Sequence, residues 1–375
     1  MTVSKFLLND QEAIVRIFDH IDNGTTDLGG EVWKEPVDNY HSLERFSQEI
    51  ELLRNMPIPF CPSAAIAEKG SYIARKASGT PLIAVRGEDG IVRAFINACK
   101  HRGMQVAEGE GCKKAFVCPY HAWTYGLDGK LKRIPGQKGF PGIELDTTGL
   151  YELSAKEKGG IVYIKQNGEI NKSELKHALN FFSKEQELFH TGEVEDNTNW
   201  KLITETLLEG YHIRSLHKKT FYPYGLDNIN LVESYGLNSR VIFPFKRIEK
   251  LRDINPSQRS INGMVTKVYH LFPNVSVSVL SKHTSLTIIE PISPTRVKLI
   301  SYLLINEQED QKKITLEEAK KDAVFVNKSG QAEDREAAVA IQETVTTKAN
   351  NYLTFGYFEK AIVDFHKNLS NMLKL

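Results

Sequence analysis

Cys99-Lys100-His101 and, sixteen residues further on, Cys118-Pro119-Tyr120-His121 decide how the rest of the chain is read. Each segment supplies one thiol and one imidazole. Two thiolates on one iron and two neutral imidazoles on the other are the ligands of a mixed two-iron, two-sulfur centre, and two loops of this composition meet that need. Zinc also accepts two Cys and two His. Zinc fingers, however, usually pair Cys with Cys and His with His along the chain, and the interleaved order here favours iron–sulfur.

The flanking residues agree. Ile91–Ile96 and Lys114–Val117 read as strands entering the two loops, with Glu88-Asp89-Gly90 and Asp128-Gly129 as turns on either side. A small antiparallel β domain with its metal loops at one end is expected. Rieske proteins of the respiratory chain resemble the pattern but carry two further cysteines that brace the loops with a disulfide. Met104 and Tyr120 stand at those positions, so that bridge cannot form. Fewer hydrogen bonds to the cluster sulfurs imply a lower potential, suited to a reductase rather than a quinol as donor. Cys61 and Cys112 are left without a task and read as buried structural thiols.

Composition bounds the rest. A chain of 375 residues suggests about two domains and can bury a substantial core without disulfides. Lys+Arg 48 against Asp+Glu 47 leaves a net charge of +1, which argues against nucleic acid as the main partner. Apolar stretches such as Gly160–Ile164 fall far short of the roughly 20 residues of a membrane span. The apolar stretch in Met1–Asp10 is too short for a signal peptide, so a cytoplasmic protein with reduced or metal-bound cysteines is expected.

A second informative stretch is Asn199–His217. Trp200, Ile203, Leu207 and Leu208 recur at helical spacing. Glu209, His212 and His217 follow, and two histidines with a carboxylate can hold non-haem Fe(II) while leaving coordination positions open. A His pair five apart does not share a face of a regular α-helix. The helix must therefore end, or carry a π-like turn, near Ile213.

Together, Cys99/His101/Cys118/His121 and the run Asn-Trp-Lys followed by Glu209-x-x-His212-x-x-x-x-His217 resemble the α subunit of a Rieske non-haem iron oxygenase, the aromatic ring-hydroxylating oxygenase family. The resemblance runs from about Pro57 to the C-terminal helix. It implies an α+β fold: a small antiparallel β Rieske [2Fe–2S] domain over 57–165, and a helix-grip catalytic domain, an antiparallel sheet with helices, over 166–375. Residues 1–56 are expected to add N-terminal helices to the catalytic domain, with Leu43, Phe46, Ile50 and Leu53 on one helix behind a Ser42 cap. Met264–Phe272, Val275–Leu280, Ser285–Ile289 and Val297–Leu304 read as successive strands, and the pattern turns helical from Leu316.

The resemblance also implies roles. It places the third iron ligand in an acid pair opening a C-terminal helix, here Glu333-Asp334. Periodicity does not choose between these two, although Asp334 shares a face with Ala338, Ile341 and Val345; the resemblance selects Asp334. His212, His217 and Asp334 would then hold one mononuclear Fe(II). The position of Glu209 is usually Asp in the family, where it joins an iron-ligand His to a cluster-ligand His of the next subunit. Glu209 would link His212 to His121 of a neighbouring chain, which implies a homotrimer. Glu at this position is found notably in members acting on quaternary amines. Thr206 stands where many members have Asn.

The function so implied is that of a terminal oxygenase component. It would use O2 and electrons from an NAD(P)H-dependent reductase, directly or through a ferredoxin, to hydroxylate or oxidatively demethylate a small organic substrate. An aromatic compound, as in aromatic hydrocarbon catabolism, is the first expectation and a quaternary amine the alternative. An electron-transfer Rieske protein without catalytic iron would leave His212, His217 and Asp334 unexplained. No flavin or nicotinamide fingerprint occurs in the sequence. Phe221, Tyr222 and Tyr224 after the His pair, and Tyr352, Phe355, Tyr357 and Phe358 after Asp334, could cage an ammonium group. Most of them read as core.

Overall fold

The computed structural model describes residues 7–307, 313–347 and 349–374; the first six, on which part of the N-terminal reading rests, lie outside the described residues. The chain is α+β and forms two compact units, one of Met1–Glu49 with Gln186–Leu375 and one of Ile50–Glu185. The boundary falls inside helix α2 (Leu43–Asn55), whose first turn is capped by Ser42, its Oγ accepting the Arg45 N–H at 3.2 Å.

The smaller unit has a seven-stranded antiparallel sheet in the order Ile58–Pro62, Ile161–Lys165, Glu152–Lys158, Val92–Ile96, Thr80–Arg86, Ser71–Ala77, Gly109–Cys112. A second, three-stranded sheet joins Phe116–Val117, Thr124–Tyr125 and Leu131–Arg133. Ile83, Val85, Phe95, Phe116, Trp123 and Tyr125 pack between them as a core on which the metal loops rest. Gly129 is confined to glycine: its φ is +78°, and a Cβ there would lie 2.4 Å from the Phe95 ring. The expectation that Cys61 and Cys112 are both buried holds only for Cys61. Cys112 is exposed, because Gly109–Cys112 is an edge strand and all four of its residues face solvent.

The larger unit begins with α1 (Asp10–Asn23), which opens on a reciprocal Asn9/Glu12 cap. Its sheet has seven antiparallel strands: β1 (Leu188–Asp196), β2 (Leu231–Tyr235), β3 (Asn238–Pro244), β4 (Val265–Leu271), β5 (Val275–Val279), β6 (His283–Ser293) and β7 (Arg296–Ile305), in the order β1-β7-β6-β5-β4-β3-β2. Ile14, Ile17 and Phe18 of α1 pack on Leu231, Ile242 and Val265. The helices that carry chemistry are α3 (Trp200–Thr206), α4 (Ile213–Leu216), α5 (Leu316–Val326) and α6 (Ala332–Val345), with a π turn over Asn327–Gln331 joining the last two. The C-terminal run is not helical throughout. Tyr352–Phe355 is a strand paired with Trp33–Pro36, and α7 (Lys360–Leu373) follows. The aromatics of this run are not mostly core either: Phe355 is buried, but Tyr352, Tyr357 and Phe358 are exposed.

Candidate metal centres

In the smaller unit each metal loop closes on its own cysteine. Cys99 N–H donates to Met104 O and Gly103 N–H to Cys99 O, both at 2.8 Å. In the second loop Cys118 N–H donates to Trp123 O at 2.8 Å and Ala122 N–H to Cys118 O at 2.9 Å. The residue four beyond each cysteine is left-handed, Gly103 at φ 75° and Ala122 at φ 57°. The tight turns bring His101 Nδ1 and His121 Nδ1 to 3.0 Å, while Cys99 and Cys118 stay buried beneath them. The His101 ring stacks on Trp123 at 5.0 Å and 8°. Burial, with Tyr125 opposing, raises the Cys99 thiol pKa, so a thiolate there calls for a metal partner. Desolvation, His121 and Arg102 keep His101 below its ordinary value, hence neutral, the form that ligates. Two buried thiols and two converging imidazole nitrogens fit a Rieske [2Fe–2S] cluster. The loops lack the respiratory disulfide, but not every hydrogen bond to sulfur: Tyr125 Oη lies 3.1 Å from Cys99 Sγ.

In the larger unit α3 ends at Thr206, earlier than the expected end near Ile213, and a short new helix, α4, starts at Ile213, so Glu209 and His212 lie in the break and α4 separates the two histidines. Glu209 makes the break: its Oε2 accepts the N–H groups of Tyr211 and His212, and its Oε1 accepts from His212 Nδ1. Gly210 passes close to Asn230, whose Oδ1 would sit 2.5 Å from a Cβ. The break turns His212 Nε2 and His217 Nε2 toward each other at 3.1 Å. Asp334 Oδ1 lies 3.0 Å from His217 Nε2 and 3.3 Å from His212 Nε2. Three ligands on one face of an octahedron, each about 2.1 Å from the centre, stand about 3.0 Å apart.

The tautomers make the triangle a cation site. His212 Nδ1–H donates to Glu209, and His217 Nδ1–H donates to Glu333 Oε2 at 2.8 Å, which leaves both Nε2 atoms as lone pairs. Asp334 Oδ1 is buried and has no hydrogen-bond partner. Three lone pairs thus converge on one point, an arrangement a metal ion satisfies. Without a metal the same field holds a proton there: burial disfavours charge on His212, but Asp334 and Glu209 outweigh it and push its pKa up to about 10, so a bound cation takes that proton's place. Burial likewise disfavours charge on Asp334, while His212 and His217 hold its carboxyl below the usual range.

The Asn-Trp-Lys run anchors this geometry. Asn199 Oδ1 caps α3, its Nδ2 donates to Pro294 O at 2.7 Å, and its N–H donates to Gln342 Oε1 of α6 at 2.7 Å. Trp200 Nε1 and Lys201 Nζ donate to the two carboxylate oxygens of buried Glu49, at 2.8 and 2.7 Å. Helices α3 and α6 are thereby fixed to each other, and with them His212 and Asp334. The face of α6 turned inward carries Asp334, Ala338 and Val345; Ile341, expected with them, is partly exposed. Two contributors escaped the sequence reading: Glu333, weighed only as a rival ligand, and Thr220, whose Oγ1 donates to Glu333 Oε2 at 2.6 Å. A hydroxyl three residues after His217 was the available signal.

Both regions match families of known proteins. Residues 187–375 match the model of the ring hydroxylating alpha subunit (catalytic domain), and residues 56–147 that of the Rieske [2Fe-2S] domain. The carnitine monooxygenase oxygenase subunit of Acinetobacter pittii is 30% identical over 49% of this chain and 53% of its own length, so the chain spans about half the length of that relative. The chloroplastic choline monooxygenase of Spinacia oleracea is 26% identical over 91% of this chain and 77% of its own. A quaternary ammonium Rieske monooxygenase solved with L-carnitine superposes with a TM-score of 0.75 at 21% identity, covering 91% of this chain and 95% of the other. Naphthalene 1,2-dioxygenase from Rhodococcus sp. does so with 0.74 at 17%, covering 97% and 98%; at these identities the likeness is one of fold. The chain belongs to the ring-hydroxylating α-subunit family, whose two domains imply one Rieske [2Fe–2S] cluster and one mononuclear iron.

Proposed function

We propose that this chain is the terminal oxygenase component of a Rieske system that oxidises an N-methyl group of a small quaternary or related amine. Cys99, His101, Cys118 and His121 would hold the cluster, and His212, His217 and Asp334 the mononuclear iron. When bound, the two groups supply one-electron redox chemistry and a site for O2. Glu209 orients His212 and, reaching His121 of a neighbouring subunit, would carry the link between centres; that role implies a homotrimer. An NAD(P)H-dependent reductase, with or without a ferredoxin, would be the electron source, and the cytoplasm the compartment. No described helix is long and apolar enough to cross a membrane.

The observation that carries the oxygenase reading is the His212–His217–Asp334 triangle with sides of 3.0 to 3.3 Å. An electron carrier would not need it. The amine is preferred over an aromatic hydrocarbon for two reasons. Glu replaces Asp at position 209, and the chain is similar to carnitine, choline and glycine betaine monooxygenases. The test is iron and acid-labile sulfide per chain on anaerobically purified protein. About three irons per two sulfides in wild type, falling to about two irons in His217→Ala, are expected. Two irons in wild type that do not rise on adding Fe(II) would refute the oxygenase reading.

A further inference from the structure

The sheet of the larger unit carries polar groups where a core would be apolar. Strand pairing sets His270, Ser276, Thr287 and Ser301 side by side across β4, β5, β6 and β7, and Ser278 opposite Ser285. Directly paired residues, and residues two apart on one strand, share a face. Five hydroxyls therefore line one face, and they touch: Ser276 and Ser278 at 3.4 Å, Ser285 and Thr287 at 3.0 Å, Thr287 and Ser301 at 3.2 Å. The opposite face of the same strands presents Leu286, Ile288, Ile300 and Tyr302, all fully buried.

A chain of contacts links the hydroxyl face to the metal triad. His270 packs on Phe365 of α7 at 5.3 Å. At the other end His283, on the same face as Ser285, pairs with Asp322 of α5 at 2.8 Å. One turn further along α5, about 4.5 Å of helix axis, Phe325 meets Phe221 at 6.1 Å, and Phe221 packs on His217 at 4.9 Å. Helices α5 and α7 thus bracket the hydroxyls from two sides. Between them Ser278, Thr287 and Ser301 are only partly buried, so packing does not close this face over their hydroxyls.

We infer that Ser278, Ser285, Thr287 and Ser301 form the pocket wall that receives an uncharged hydrogen-bonding part of the substrate, a hydroxyl foremost. This deepens the reading of the chain as an N-methyl oxygenase and rests on it. Each hydroxyl has one donor and two acceptor positions, so a ladder of mutual contacts leaves valences to spare. A hydrocarbon against this wall would leave those spare valences unmet. A carboxylate would fare no better: from Ser276 to Leu303, β5 to β7 place no Lys or Arg on this face among the described residues, and a buried anion without a cation is costly. An alcohol exchanges its bonds to water for bonds to the ladder at little loss.

The test is equilibrium binding to the full chain loaded with cluster and iron. The probes are choline, ethyltrimethylammonium (choline without its hydroxyl), glycine betaine, and dimethylbutanol with carbon in place of the choline nitrogen. Wild type should bind choline at least about tenfold more tightly than ethyltrimethylammonium or glycine betaine. Thr287→Val, which breaks two ladder contacts, and the milder Ser301→Ala should each weaken choline about tenfold and leave ethyltrimethylammonium within about twofold. The hydroxyl wall is overturned if wild type binds choline and ethyltrimethylammonium alike, prefers glycine betaine, or binds none of the four. It is overturned too if both variants lose both ammonium probes equally. Equal affinity for choline and dimethylbutanol would instead refute the amine reading while leaving the hydroxyl wall standing.

Discussion

Glu333 and His217 meet at 2.8 Å through Oε2 and Nδ1, while Asp334, the next residue, reaches Nε2 of the same ring at 3.0 Å. Adjacent acids at the start of α6 thus grip one imidazole from its two nitrogens. Glu333 fixes the tautomer that leaves Nε2 free, and Thr220 fixes Glu333. Glu333→Leu leaves the Nδ1–H without an acceptor and removes the hold on the tautomer that frees Nε2. Fe(II) affinity should fall about 10- to 100-fold, the usual cost of losing such a partner. Anaerobic Fe(II) titration of the two proteins measures it; unchanged affinity would mean that Asp334 and the histidines suffice.

How far this was legible in the sequence depends on what each residue answers to. The cluster ligands were readable because ligand order along the chain is itself chemical information, and both loops fold locally around their own cysteine. The strands β4 to β7 were readable from alternation, with boundaries within two residues for three of them; β6 ran longer because its ends, His283 and Pro291-Ile292-Ser293, continue the pairing with β7. The choice between Glu333 and Asp334 was not readable. Both lie at a helix start, and which one points at Nε2 is set by long-range contacts of α6 such as Thr198 to Ala338, 140 residues apart in the chain. Cys112 failed for a related reason: a small thiol reads as core, but an edge strand is defined by the neighbour it lacks. The aromatics Tyr352, Tyr357 and Phe358 were misjudged in the same way.

Tyr125 provides a test of redox tuning. Its hydroxyl lies 3.1 Å from Cys99 Sγ and accepts the Lys100 N–H at 2.9 Å. Its O–H can donate to a cluster thiolate, a bond that favours the reduced, more negative cluster. Tyr125→Phe removes the donor with little change of shape. If the bond differs by about 1 kcal/mol between oxidation states, the potential should fall by about 40 mV. Redox titration of the cluster's EPR signal would show it. A potential that stays put or rises would mean that the hydroxyl serves only the loop backbone.

His270 gives a pH dependence. It is buried on β4, its Nε2–H donates to Pro273 O at 2.9 Å, and burial pushes its pKa down to about 4. The unfolded chain binds that proton near pH 6.5. Above about 6.5 neither state is charged and the contribution is complete; as pH falls toward 4 the unfolded state alone takes up the proton and stability drops. The difference of about 2.5 units corresponds to about 3 kcal/mol. His270→Gln should therefore start less stable at pH 7 but lose about 3 kcal/mol less than wild type between pH 7 and pH 4. Urea unfolding at the two pH values decides; parallel losses would place the titrating group elsewhere.

Gly330 ties the π turn to the metal site. A Cβ on it would lie 1.8 Å from Cε2 of Phe221, and Phe221 in turn packs on His217 at 4.9 Å. The ring lies against bare backbone, so the turn can pass close enough for α6 to present Asp334 and Glu333 to the same histidine. Gly330→Ala must push Phe221 away or lift the turn, and overpacking of this kind costs about 1–3 kcal/mol. The displacement falls on His217, so Fe(II) affinity should drop along with the melting temperature. Adding Phe221→Leu to Gly330→Ala makes room for the methyl group and should restore part of both. If Gly330→Ala melts lower but binds Fe(II) as wild type does, Phe221 fills space without positioning the histidine.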